Sequence, residues 1–239
     1  PWPIGCSPVS GIPEESFISQ VSGRRYKSWP PIRGMDRIGK KRLEIILEGC
    51  EPFPAPKAWL EQYTIPAREA AELLYTAFLK GDIEGKKVYD LGCGTGRLAI
   101  GAALLGAREV VGVDVDPEAL EAAERSAKRL SPGNILWTLS DIKDIKGECD
   151  TVLQNPPFGV QRGGADRTFL EKALELGKVI YTMHKTETRE FVVGYVEKLG
   201  GKVTDLTRVG FRLPHTYAFH RKAAKTVQVD IYRIVKRRR

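Results

Sequence analysis

From residue 67 onward the hydrophobic positions switch between two periods. Ala67, Ala70, Ala71, Leu74, Ala77 and Phe78 recur every three or four residues and predict a helix. Lys87–Leu91 predicts a strand, 98–105 a helix and 109–113 a second strand. Asp116 is placed to cap the next helix, with Pro117 at its first position and Leu120, Ala123, Ala127 and Leu130 along one face. Three more strands are predicted over 134–139, 151–154 and 179–183, with helices over 168–176 and 188–199. Strands alternating with helices predict an α/β domain whose parallel sheet is covered on both faces.

The pattern changes at both ends. Strands over 202–209 and 226–235 have no helix between them, and Val227, Val229 and Ile231 alternate strictly. They predict an antiparallel pair at the sheet edge, joined by an unusually long connection over 211–225. At the start, Pro1, Pro3, Pro8, Pro13, Pro30 and Pro31 interrupt every period. Residues 1–34 therefore predict an irregular leader. A charged helical extension follows over 35–57, with Leu43, Ile46 and Leu47 on one face, and the main domain occupies 58–239. Met35 is the expected natural start, which makes the leader an upstream segment.

Composition bounds the function. The 239 residues are 42% hydrophobic and 28% charged, enough for one sizeable core. No apolar run approaches the roughly 18–20 residues of a membrane span, and no secretory pattern opens the chain, so the expected location is cytoplasmic. Cys6, Cys50, Cys93 and Cys149 are dispersed, with no Cys-x-x-Cys pair. Reduced thiols are expected, and no metal site. The net charge of +8 points weakly to a phosphate-rich partner. Asparagine occurs only at positions 134 and 155 among abundant Lys, Arg and Glu, a bias of heat-adapted proteins.

Two stretches carry chemistry. In the first, a buried strand runs through Asp90 into Gly92-Cys93-Gly94-Thr95-Gly96 and then a helix. Glycines let the backbone come close to a ligand. The Gly-x-Gly-x-Gly spacing differs from the Gly-x-Gly-x-x-Gly of dinucleotide sites, and Asp90 would repel a pyrophosphate but hold an ammonium group. Asp114 ends the next strand, where it can accept from both ribose hydroxyls. Asp141, with the Ile142 amide beside it, is placed for an adenine amino group. The implied ligand is an adenosine with an amino-acid arm and no phosphate, which is S-adenosylmethionine. Cys93, Thr95, Arg97, Leu98, Val115 and Asn155 are counted with this site. The competing reading is a tight strand–helix turn with solvated acids.

In the second stretch, the fourth strand delivers Asn155-Pro156-Pro157-Phe158 to the carboxyl edge of the sheet, where ligands bind in such folds. The Asn155 side-chain oxygen and the Pro156 carbonyl can accept the two hydrogens of a conjugated amine, and Phe158 can stack on its ring. Taken alone, the tetrapeptide is equally a proline turn in a loop.

The Gly-loop and Asn-Pro-Pro-Phe, in this order, resemble amino-group N-methyltransferases. More narrowly, the chain resembles the methyltransferase-like protein five family and its archaeal relatives. The likeness runs through Leu60-Glu61-Gln62-Tyr63, Leu74-Tyr75-Thr76, Asp166-x-x-Phe169-Leu170, His184-Lys185, Thr188-Arg189-Glu190, Leu213-Pro214, Phe219-His220 and Val229-Asp230-Ile231. It implies a doubly wound, Rossmann-like class I methyltransferase with a seven-stranded, mostly parallel sheet and an antiparallel edge hairpin. It implies N6-adenosine methylation of small-subunit ribosomal RNA, with Gln62, Tyr63 and Thr64 closing over the cofactor. Eukaryotic members work with a small zinc-binding activator protein, so a similar partner is expected here. The sequence departs from them after Tyr63, where it reads Thr-Ile-Pro.

Around this site, Lys185, Arg189, Arg212, His220 and Lys222 are candidate RNA ligands, because cations interleaved with aromatic residues suit single-stranded or flipped-base RNA. Against this stand a solvated helix start at Arg189 and a solvated hairpin loop over 211–225. Two rival functions remain: a protein glutamine-N5 methyltransferase, which meets the same amide-nitrogen problem, and an RNA-binding module without catalysis.

Overall fold

The computed structural model describes residues 38–130, 132–158, 164–212 and 226–237. The predicted leader over 1–34 and most of the long connection over 211–225 lie outside them.

Seven strands form one sheet: β1 (Lys87–Leu91), β2 (Glu109–Asp114), β3 (Ile135–Leu139), β4 (Cys149–Gln154), β5 (Gly177–Lys185), β6 (Gly201–Arg212) and β7 (Thr226–Lys236). Their order is β3-β2-β1-β4-β5-β7-β6. The first five are parallel, while β7 runs antiparallel to both β5 and β6. The chain winds outward from β1 through β2 and β3, then returns to place β4 on the other side of β1. That reversal opens a crevice at the carboxyl ends of β1 and β4, where Leu91 and Gln154 are paired.

The helices are α1 (Lys40–Glu48), α2 (Ala67–Leu79), α3 (Arg97–Leu104), α4 (Pro117–Leu130), α5 (Ala165–Leu176) and α6 (Arg189–Lys198). On one sheet face Val88, Leu153, Tyr181, Met183 and Ile231 pack with α1, α2 and α3. On the other, Leu91, Val152, Ile180, Tyr232 and Ile234 pack with α5 and α6. The alternating directions of side chains along each strand divide the two cores. Leu43 and Leu47 of α1 are fully buried in the first core, so the described part of the predicted extension is built into the domain. Gly101 is what lets α3 approach α2: a Cβ there would meet Leu74 at 2.3 Å.

The boundaries differ from the predicted ones for local reasons. Asn134 was expected in β3 but adopts φ +37, and its side chain donates to the Ala107 and Arg108 carbonyls, so the strand starts at Ile135. A 3-10 turn over Thr186–Thr188 precedes α6, where one helix was expected. The terminal pair extends to Arg212 and Thr226. Within it only β6 is an edge. β7 is an interior strand, which explains why Val229, Asp230, Ile231 and Tyr232 are all buried despite the alternating sequence.

Candidate active site

The pocket at the carboxyl edge grows from the turn after β1. Gly92, Gly94 and Gly96 all adopt positive φ, at 67, 52 and 80°. The turn is also crowded by rings: a Cβ on Gly94 would stand 2.6 Å from Phe53, and one on Gly96 2.5 Å from Trp137. Glycine is therefore required twice over, by conformation and by space.

Asp90 is buried at the end of β1. Its Oδ2 accepts the Ala99 amide at 2.9 Å in the first turn of α3, while Oδ1 has no hydrogen-bond partner among the described residues. Burial pushes this carboxyl up to about 8, against the Ala99 hydrogen bond that favours its charged form. A buried carboxylate oxygen left open on a pocket wall is a counter-charge for a cation. Asp114, at the end of β2, accepts the Gly94 amide at 2.7 Å and the Asp116 amide at 2.9 Å, one on each oxygen. Burial raises its carboxyl as well. One oxygen thus fastens the glycine turn and the other the start of the next loop, and each keeps further acceptor capacity of the kind ribose hydroxyls need. Asp141 is exposed, caps the turn Ile142–Asp144 by accepting the Lys143 amide at 2.9 Å, and lines the pocket beside Ile142.

A strap over 53–65 crosses the pocket. Gln62, Tyr63 and Thr64 all line it. Gln62, however, already uses both ends of its amide: Nε2 donates to Asp116 at 2.7 Å, and Oε1 accepts the Lys57 amide at 2.8 Å. These two bonds hold the strap beside the end of β2 while the residue lines the pocket. Arg97 plays a similar part, donating to the Ile65 and Cys50 carbonyls. Cys93, Thr95, Leu98 and Val115 also line the pocket, whereas Gly96 does not.

Asn155 and Pro157 line the same pocket, whereas Pro156 is buried and does not. The Tyr63 hydroxyl donates to Asn155 Oδ1 at 3.0 Å, and the Tyr63 ring stacks on Phe158 with centroids 5.4 Å apart. Phe158 also lies 5.5 Å from the Lys185 ammonium, which the end of β5 carries to this edge.

Of the other predicted RNA ligands, Arg189 and Arg212 fall within the described residues. Arg189 forms a bidentate pair with buried Asp230, at 2.7 and 2.8 Å, so its half-exposed guanidinium is engaged with a buried carboxylate. Arg212 is the last residue of β6, and His220 and Lys222 lie outside the described residues. Phe53, Trp59, Ile65 and Phe169 line the pocket although the sequence reading gave them no role there. The strap has no hydrophobic period, and only the glycine clash with Phe53 reveals that ring's place.

A family profile described as ribosomal protein L11 methyltransferase (PrmA) matches residues 71–155. A Methanocaldococcus jannaschii protein of uncharacterised role is 45% identical over 83% of this chain and 95% of its own length. The Drosophila melanogaster rRNA N(6)-adenosine-methyltransferase Mettl5 is 35% identical over 83% of this chain and 97% of its own length. A solved structure of an RNA methyltransferase candidate from Pyrococcus horikoshii superposes with a TM-score of 0.78 at 43% identity, covering 85% of this chain and 99% of the other. With the doubly wound sheet, the open Asp90 oxygen and Asn155 at the end of β4, this similarity over nearly the whole length of Mettl5 shows that the chain belongs to the Mettl5 family of methyltransferases.

Proposed function

We propose that this chain methylates N6 of an adenosine in small-subunit ribosomal RNA, using S-adenosylmethionine. The observation that carries the reading is the placement of Asn155 in one pocket with Asp90 and Asp114. The residues fit the cofactor. The unpaired Oδ1 of Asp90 suits an α-ammonium group, the remaining acceptor capacity of Asp114 suits ribose hydroxyls, and Gly92 and Gly94 line the pocket with backbone alone. When bound, the cofactor supplies an electrophilic methyl group on sulfur.

The chain's own task is to prepare the amine. An adenine amino group is a poor nucleophile because its lone pair is delocalised into the ring. Hydrogen bonds from its N–H groups to Asn155 Oδ1 and to the Pro156 carbonyl favour the pyramidal nitrogen that attacks. Phe158 offers a stacking face, so the base must leave any helix to reach it. Lys185 beside Phe158 is the described cation best placed to hold the flanking phosphate. No strong general base is needed, since the proton leaves after transfer.

The reading includes a small activator partner. The free edge of the sheet at β3 suits one: Leu136 and Leu139 are 38% and 45% exposed there, and Val115 nearby is 46% exposed. A substrate of ribosomal RNA also places the enzyme in the cytoplasm. Among the described residues no helix is long and apolar enough to cross a membrane.

The test is Asn155→Ala. Transfer to RNA falls about 100- to 1000-fold, as when an oriented transition-state partner is removed, while RNA affinity holds. Unchanged turnover would remove Asn155 from the mechanism.

A further inference from the structure

The amide of Asn155 has two ends of similar size and opposite hydrogen-bonding character. Only Oδ1 can accept from the target amine; a flipped amide would present a donor to a donor. The backbone after β4 does not decide between the two. The groups around the side chain must.

Tyr63 is placed to do so. Its hydroxyl lies 3.0 Å from Oδ1, in a chain position 92 residues earlier. Its ring is held by stacking on Phe158, and its backbone is held on either side: Gln62 is tied to Asp116, and the Ile65 carbonyl to Arg97. Burial raises the phenol further above its ordinary range, so the hydroxyl keeps the proton that it gives to Oδ1. Oδ1 has two lone pairs. Tyr63 occupies one and leaves the other for the incoming amine.

We infer that Tyr63 is a positioning residue for methyl transfer, fixing the Asn155 amide with its oxygen toward the acceptor. The strap that carries Tyr63 also lines the cofactor pocket, so one segment sets both halves of the site. This rests on the role given to Asn155 above.

The experiment is Tyr63→Phe in the full chain, which keeps the ring on Phe158 and removes the hydroxyl alone. Turnover is measured at saturating cofactor and RNA, with affinity for each measured separately. Loss of orientation predicts kcat lower by about tenfold to a hundredfold, with both affinities within about twofold of the parent. In an Asn155→Ala background the same substitution adds nothing.

Unchanged or faster turnover in Tyr63→Phe would overturn the inference, the faster rate marking Tyr63 as an obstacle to the base. A fall confined to cofactor affinity would overturn it too, reducing Tyr63 to a piece of the strap. If Asn155→Ala is inactive while Tyr63→Phe is fully active, only this inference fails. If Asn155→Ala retains activity, the reading beneath it fails as well.

Discussion

Replacing Asp90 by Asn isolates the charge on the cofactor side of the site. The substitution keeps the shape of the side chain and an oxygen to accept the Ala99 amide, but removes the counter-charge at the open position. A hydrogen bond between charged partners contributes about 1.5–3 kcal/mol, so cofactor affinity falls about 10- to 150-fold. The pH dependence sharpens the test. The carboxyl sits at about 8 in the free protein, so below that value it must lose its proton to pair with an ammonium group. Each pH unit then costs about 1.4 kcal/mol, or a tenfold weakening. The window from about pH 6 to about 7.5 is clean, because an ordinary α-amino group near 7.7–8.0 stays largely cationic there. Titration calorimetry at fixed ionic strength should find wild-type affinity weakening about tenfold per unit as pH falls, and the variant weak and flat. Linkage gives a second reading. The folded-state value lies above the ordinary carboxylate range, so this group's stabilisation of the cofactor-free protein is complete below about pH 4 and is lost as pH rises through about 8. Asp90→Asn should remove that slope from the melting temperature. A flat wild-type affinity, or a variant that binds as tightly as the parent, would refute the reasoning.

Gly94→Ala should melt lower, by about 3–8 °C for roughly 1–2 kcal/mol of left-handed backbone strain, and bind cofactor poorly because the Phe53 ring must move. Differential scanning calorimetry and a binding titration check both. Lys185→Ala should weaken RNA binding uniformly across sequences and lower the salt slope of affinity by about one; an unchanged slope would take Lys185 off the phosphate backbone. Arg189→Ala should leave that salt slope alone and lower thermal stability, since it removes the bidentate partner of buried Asp230 and leaves it Thr186 and the more distant Arg208 among its partners. The Asp230 carboxyl lies below its usual range: burial alone would raise it, but the hydrogen bonds from Arg189 and Thr186 together outweigh that. Its stabilising contribution is therefore present at neutral pH and fades as pH falls through that lowered value, and a pH series of melting curves follows it.

The sheet was legible because each parallel strand is a short apolar run bounded by turn residues, and the turn after β1 needs glycine wherever it occurs. The fourth strand could be followed to its end at Gln154, which placed Asn155 at the edge. Partner choice was not legible. Arg189 reads as a solvated helix start, and only the register that sets β7 beside β5 brings Asp230 under it. Gln62, assigned to the cofactor by the resemblance, lines the pocket and is also held by Asp116 and the Lys57 amide, partners that no local pattern reveals. Tyr63 and Asn155 meet across 92 positions because an irregular strap, with Glu61 in the left-handed region, folds back over the strand ends. Such segments have no period to read, and their course is set by tertiary contacts.

The central claim is that this pocket delivers a methyl group to an adenine amine in RNA. The most direct measurement is transfer from labelled S-adenosylmethionine to small-subunit ribosomal RNA, followed by nucleoside analysis of the product. The account predicts that the label is recovered as N6-methyladenosine. Label recovered on protein, with none on RNA even when a small zinc-binding partner is added, would contradict it and favour glutamine as the acceptor.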